Sequence, residues 1–267
     1  MAPVAIGMVM ALGALLMAAM LEKISFGALI APSPMILVFV GSLGATFIAY
    51  KTKEWKKIPK VLGVAFKGKV PDPDELVTSF AHFADIARKE GMLALEGEIG
   101  RIEDPFLKTG LQLVIDGVDG EQVREVLEIE IDALTERHHS MSQFFLTMGG
   151  FAPTFGLMGT IVGLIGVLRE LSDPTKLGKG MALGLLGTLW GVVAANLLFQ
   201  PIGTKLNRLH EQEVAVRHLA VEGILGIREG MATRLLVERL EARLSPDMRK
   251  GHAGRNSSQP AASKEAA

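Results

Sequence analysis

Four stretches of the chain, residues 1–21, 24–50, 140–168 and 180–204, contain no Asp, Glu, Lys or Arg, and each has at least 21 residues. About 20 predominantly apolar residues carry a helix across a hydrocarbon core of about 30 Å. The pattern therefore predicts four transmembrane helices, over about 3–21, 33–50, 145–168 and 180–201. Between the second and third the pattern changes. Pro71-Asp72-Pro73-Asp74-Glu75 is a helix-start signal, and Leu76, Phe80, Phe83 and Ala87 share one face of the helix that follows. A second helix is expected from Asp119-Gly120-Glu121, with Val123, Leu127, Ile131 and Leu134 at the same spacing. The expected fold is an all-α integral membrane protein. Four spans enclose a helical cytoplasmic loop domain over 51–143, and a cytoplasmic helix over 203–245 repeats Leu236, Leu240 and Leu244. Residues 246–267, rich in Gly, Ser, Ala and charge, are expected to be disordered. Met1-Ala2-Pro3-Val4 lacks a basic n-region and no cleavage site precedes Glu22-Lys23, so the first stretch reads as a retained span.

Composition fits only if charge is segregated. The 267 residues are 49% hydrophobic and 21% charged, with a formal net charge of −1, and the mean hydropathy is +0.33. A single soluble globule is excluded, because nearly all charge lies between or after the apolar runs. Residues 51–70 hold seven Lys against Glu54, whereas residues 71–136 hold seventeen acids against five bases, a net of −12. The positive-inside rule puts the lysine-rich side in the cytoplasm, and Arg137, Lys205 and Arg208 agree with it. Both termini are then cytoplasmic and the connectors at 22–33 and 169–179 external. Tyr50 with Lys51, Trp55 and Phe199 stand at span ends as interfacial residues. The basic collar is suited to anionic lipid, and the acidic part stands away from it. Without cysteine there is no disulfide or thiol chemistry, and the near-neutral total gives no nucleic-acid footprint.

Candidate chemistry concentrates on the last two spans. Gly156, Gly159, Gly163 and Gly166 stripe the third, and Gly180, Gly184, Gly187 and Gly191 stripe the fourth. Small residues at this spacing let helix backbones approach closely. One reading pairs the two stripes within the chain. The sharper one packs a single stripe internally and turns the other toward a partner or a second copy. Pro153 and Pro201 each free a carbonyl one turn earlier, and Thr154, Thr160, Thr188 and Asn196 add side-chain oxygens at membrane depth. Ion-driven machines usually carry an intramembrane carboxylate, and these spans contain none. A titrating or coordinating acid must then come from another polypeptide. Enzyme chemistry finds little support. Gly63-x-x-x-x-Gly68-Lys69 is followed by Val70 where a P-loop needs Ser or Thr, Asp116-Gly117-Val118-Asp119-Gly120 reads as a turn rather than a calcium loop, and the six histidines lack metal-ligand spacing.

Over about residues 4–245 the chain resembles the MotA/PomA family of bacterial flagellar stator subunits. The resemblance is carried by Pro34-Met35-Ile36-Leu37-Val38-Phe39-Val40-Gly41-Ser42-Leu43-Gly44-Ala45, Arg88-Lys89-Glu90-Gly91-Met92-Leu93-Ala94-Leu95-Glu96, Ala152-Pro153-Thr154-Phe155-Gly156-Leu157-Met158-Gly159-Thr160, Leu186-Gly187-Thr188-Leu189-Trp190-Gly191 and Phe199-Gln200-Pro201-Ile202. TolQ/ExbB proteins share the last two spans but have one N-terminal span instead of the hairpin. The resemblance implies an inner-membrane pentamer around two copies of a MotB/PomB-type single-span partner, whose membrane Asp takes the ion and whose periplasmic domain binds peptidoglycan. It further implies that the ring pushes on a FliG-type rotor protein through Arg88 and Glu96. Pro153 and Pro201 match prolines tied to coupling. Thr160 and Thr188 together look like the sodium-driven branch, so transported Na⁺ is favoured over H⁺, with transient sodium near the two hydroxyls and no stable metal or cofactor. A TolQ/ExbB-like energiser of another envelope complex and a structural scaffold are the competing readings.

Overall fold

The computed structural model describes residues 2–68, 70–169, 172 and 174–244; the tail expected to be disordered lies outside them. Every regular element among the described residues is helical. The chain divides into two compact units, Met1–Lys69 with Glu136–His210, and Val70–Thr135 with Glu211–Ala267. The principal helices are α1 (Ala2–Leu21), α2 (Pro32–Ala49), α3 (Ile58–Lys67), α4 (Pro73–Glu90), α5 (Pro105–Ile115), α6 (Gly120–Arg169), α7 (Pro174–Val193), α8 (Gln200–Arg228) and α9 (Thr233–Glu241).

The first unit is apolar outside as well as inside. Ile48 is 89% exposed, and Val40, Leu157, Ile161, Ile165 and Leu185 also present their side chains outward. By length and composition, α2, α6 and the continuous segment through α7 and α8 can each cross a membrane, and the described part of α1 adds a shorter apolar helix over Ile6–Leu21. In α2 the buried residues are Pro34, Val38, Ser42 and Thr46, four apart along one face. The two hydroxyls on that face are satisfied within the helix: Thr46 Oγ1 donates to the Ser42 carbonyl at 2.7 Å and Ser42 Oγ to that of Phe39 at 3.3 Å. On the adjacent face Gly41 accommodates the Phe155 ring, whose Cδ1 would lie 2.5 Å from a Cβ there. Where α2 ends, Phe47 stacks on Trp55 with centroids 4.0 Å apart, and Tyr50 meets Phe144 edge-on at 5.2 Å. Glu54, the one acid of the lysine collar, accepts from the Lys51 backbone N–H at 2.9 Å and from Ser140 Oγ at 2.8 Å. That carboxylate ties the collar to α6.

The second unit is built as a soluble helical domain is. Asp72 and Asp104 cap α4 and α5 by accepting from the N–H groups of Asp74 and Phe106, each at 3.0 Å, with Pro73 and Pro105 at the first helical position. Phe80, Leu95, Leu111, Val123, Leu127, Ile224 and Leu236 are wholly buried in its core. Leu76, Phe83 and Ile131 are buried as the spacing predicts, while Ala87 and Leu134 lie at the margin. Two features differ from the sequence reading. The helix begun at Gly120 does not end before the third apolar run but continues through it, 50 residues in all. The segment expected as one helix over 203–245 breaks after Arg228 at Gly230, whose φ of 66° suits glycine. Its C-terminal part joins the acidic helices because Leu219, Val221, Ile224, Leu236 and Leu240 complete their core.

Candidate functional site

The two glycine stripes face each other. A Cβ at Gly156 would lie 2.6 Å from the Gly187 carbonyl oxygen, one at Gly163 would lie 2.8 Å from Gly184 Cα, and one at Gly191 would lie 2.8 Å from the Ala152 carbonyl oxygen. Gly159 packs against Gly187 Cα and Leu37, and Gly180 against Val167. The expectation that one stripe turns outward to a partner is therefore overturned. Both are consumed in bringing α6 and α7 together, because a backbone-to-backbone approach needs the side chain missing from both helices at each crossing point. Of the named positions, Gly166 alone faces open space: a Cβ there would meet no atom within 4 Å.

This close approach brings Thr160 and Thr188 into contact. Their hydroxyl oxygens are 2.5 Å apart. Thr160 Oγ1 is also 2.8 Å from the Gly184 carbonyl oxygen and 3.3 Å from that of Gly156. A threonine hydroxyl has one proton and two lone pairs. Carbonyls only accept, so Thr160 donates to the nearer one, Gly184, and Thr188 donates to Thr160. The chain of donors runs from Thr188 to Thr160 to Gly184. Thr188 is exposed, and its only proton is committed inward. Toward the outside of the helix pair it offers lone pairs alone, which suit a cation or a protonated acid.

The prolines lie farther along the same two helical segments. Pro153 interrupts the ladder of α6, freeing the Gly149 carbonyl, and a Cβ at Gly149 would lie 2.8 Å from Gln200 Cγ. Gln200 directly precedes Pro201. Before Pro201 the helix widens into a π-turn over Ala194–Phe199, with Gln200 N–H donating to the Ala195 carbonyl five residues back. Pro201 has no N–H, so the Asn196 carbonyl has neither its α-helical nor its π-helical donor. Asn196 Nδ2 donates to the Val192 carbonyl at 3.0 Å, leaving its side-chain oxygen outward-capable on an exposed residue. Such π-turns recur where helices carry function. Sequence reading found both prolines but missed Gly149, the π-turn and the anchor that Trp190 makes by donating Nε1–H to the Leu29 carbonyl at 2.7 Å. The Gly149 packing and the Trp190 anchor depend on contacts between residues far apart in the chain, whereas the π-turn is a local bond pattern that hydropathy does not mark.

In the other unit, Arg88 stands in the last turn of α4 and Glu96 opens the turn Glu96–Ile99. Gly91 between them has a φ of 91°. Both side chains are exposed, and among the described residues neither has an ion-pair or side-chain hydrogen-bond partner. Their neighbours are engaged: Lys89 with Asp85 at 3.9 Å, and Glu98 with Arg101 at 2.8 Å. Glu222, only 5% exposed, is held by Arg239 at 2.8 Å, Arg243 at 3.0 Å and Arg124 at 3.5 Å. No local spacing in the sequence announces that cluster. Gly63 sits inside α3, a helix rather than a phosphate-binding loop, and Asp116–Asp119 form a turn with Gly117 at a φ of 77°.

Comparison with known proteins agrees with these features. Residues 98–218 match the MotA/TolQ/ExbB proton channel family. Motility protein A of Bacillus subtilis (strain 168) is 36% identical over 236 residues, 88% of this chain and 87% of that protein. The uncharacterized protein YtxD of the same organism is 43% identical over 204 residues, 76% of this chain and 75% of that one. The structure of the flagellar MotAB stator complex from Bacillus subtilis superposes with a TM-score of 0.87 at 35% identity, covering 93% of this chain and 98% of that chain. With most of its length matched in sequence and in fold, this chain belongs to the MotA/PomA family of flagellar motor stator subunits, within the MotA/TolQ/ExbB proton channel family.

Proposed function

We propose that this chain, with a MotB/PomB-type single-span partner, forms the ion channel of a flagellar stator in the bacterial inner membrane and converts ion-motive force into torque on a FliG-type rotor protein. The observation that carries the reading is the committed hydroxyl pair, Thr188 donating to Thr160, within the apolar runs 140–168 and 180–204, which hold no carboxylate. The outward lone pairs of Thr188 are half of a cation site. The other half is an acid of the partner. Family membership and likeness to a MotAB stator complex support an oligomer with a MotB-type partner; a homopentamer of this chain around a partner dimer is the form that the family resemblance implies.

The uncovered apolar helices support four crossings, and the lysine collar favours cytoplasmic termini. Residues 51–143 then belong to the cytoplasmic side, where unpartnered Arg88 and Glu96 are free to meet charges of opposite sign on a rotor. Transport of Na⁺ is favoured over H⁺, because sodium needs several oxygen ligands and a proton needs only the carboxylate. Pro153 and Pro201 interrupt the two helices that carry the hydroxyls, so a change in either helix reaches the site.

Thr188→Val keeps the shape and removes the lone pairs. It is expected to lower stator ion flux and swimming speed at least about tenfold without altering assembly, since a polar contact to a charged group is worth about 1.5–3 kcal/mol. Unchanged flux would remove Thr188 from the pathway. Replacing external sodium by potassium at fixed pH should slow cells driven by this stator, and undiminished speed selects H⁺.

A further inference from the structure

A cavity of about 300 Å³ opens inside the apolar unit beside the π-turn. Met8 and Ala11 of α1, Ala65 of α3 and Leu197 of the π-turn form much of its wall, with Gly7 and Lys205 at its boundary. Lys205 is half-buried, and no carboxylate among the described residues pairs with it. A partly desolvated ammonium needs an anion, and apart from Asn196 the residues that line the cavity with it are apolar. The amphipathic helix α3 contributes to the wall, with Val64 and Phe66 each 43% exposed and Lys60 and Lys67 on its polar positions. Helices of this composition lie at the boundary between headgroups and acyl chains. The cavity therefore asks for one molecule with an anionic head and an apolar tail.

We infer that this cavity binds an anionic phospholipid, its phosphate on Lys205 and part of one acyl chain along Met8, Ala11 and Ala65. The inference rests on the membrane placement proposed above. Recovery of the chain in the soluble fraction would remove that placement, whereas the variants below test the lipid site alone. A bound lipid would wedge α1 against the turn that leads into Pro201.

The test is native mass spectrometry of the full-length chain, purified in detergent with its assembly intact and mixed with phosphatidylglycerol or phosphatidylcholine. Phosphatidylglycerol is expected to be retained and phosphatidylcholine is not. Lys205→Gln should lower retention about fivefold, the scale of one basic side chain at an anionic surface. Gly7→Leu should abolish it by filling the cavity; a Cβ at Gly7 meets no atom within 4 Å, so the helix tolerates the change. Lys108→Gln, on an exposed position of α5 outside the lysine collar, should leave retention unchanged. Equal retention by wild type and both cavity variants would overturn the inference, as would equal retention of the two lipids, an equal loss in Lys108→Gln, or displacement by inorganic phosphate. Absence of lipid from the wild type together with a changed oligomer mass in Gly7→Leu would assign the cavity to a second copy of the chain and equally overturn it.

Discussion

In the unit that holds α7, the closest helix pair meets through what its residues lack: Gly156, Gly163, Gly187 and Gly191 put backbone against backbone. In the unit that holds α4, helices meet through what theirs possess. Phe80, Leu95, Leu111, Leu127 and Ile224 interdigitate in a core wholly withdrawn from solvent. The difference follows from the surroundings. Burial of apolar surface from water drives the second, at roughly 25 cal/mol per Å², but an apolar side chain gains no such energy by leaving lipid for protein. Helices in a hydrocarbon core associate by close van der Waals contact and polar links instead. Glycine stripes and the Thr160–Thr188 contact are that solution, and their lack of side-chain bulk also leaves the hydroxyls within reach of each other.

Substitutions can break this contrast in order of size. Gly156→Leu should have the largest effect, more than about 4 kcal/mol, because the intruding Cβ meets the Gly187 carbonyl oxygen and the Gly191 backbone, which cannot turn aside. Loss of monodisperse protein in detergent would register it. Phe80→Ala should cost about 3–5 kcal/mol by leaving a cavity in the other core, seen as a lowered thermal midpoint with the apolar helices intact by circular dichroism. Glu222→Gln keeps shape but weakens three charged contacts. With partners whose side chains are 44–53% exposed, solvent screening limits the loss to about 1–2 kcal/mol, and faster amide exchange in α9 would show it. Gly166→Ala should change stability by less than about 0.5 kcal/mol, since nothing lies near its Cβ direction. A loss there as large as at Gly156 would show that the stripe matters for glycine content rather than for contact.

Much of the membrane unit was legible because hydropathy is summed residue by residue and needs no knowledge of neighbours. Pro32–Ala49 and Ala2–Leu21 fall within a residue or so of the spans expected from the uncharged runs. The capped start of α4 was equally local, an Asp followed by Pro. Helix continuity was less legible: the change from acidic to apolar sequence near residue 140 marks a change of solvent, and the helix is not interrupted there. The direction of the glycine stripes was not legible at all. A stripe shows which face admits a close neighbour, but the choice between α7 and a second chain depends on crossing geometry.

The order of uncharged runs, the lysine collar, the acidic loop and the absence of any membrane carboxylate are properties of the sequence alone, because hydropathy and charge act at each position whatever the fold. That Thr188 spends its proton on Thr160 was decided only by the tertiary structure, as were the packing of Gly149 against Gln200, the burial of Glu222 among three arginines and the cavity at Lys205. Each of these requires atoms from distant parts of the chain to come within a few ångströms, and short-range contacts of that kind are fixed by packing rather than by local pattern.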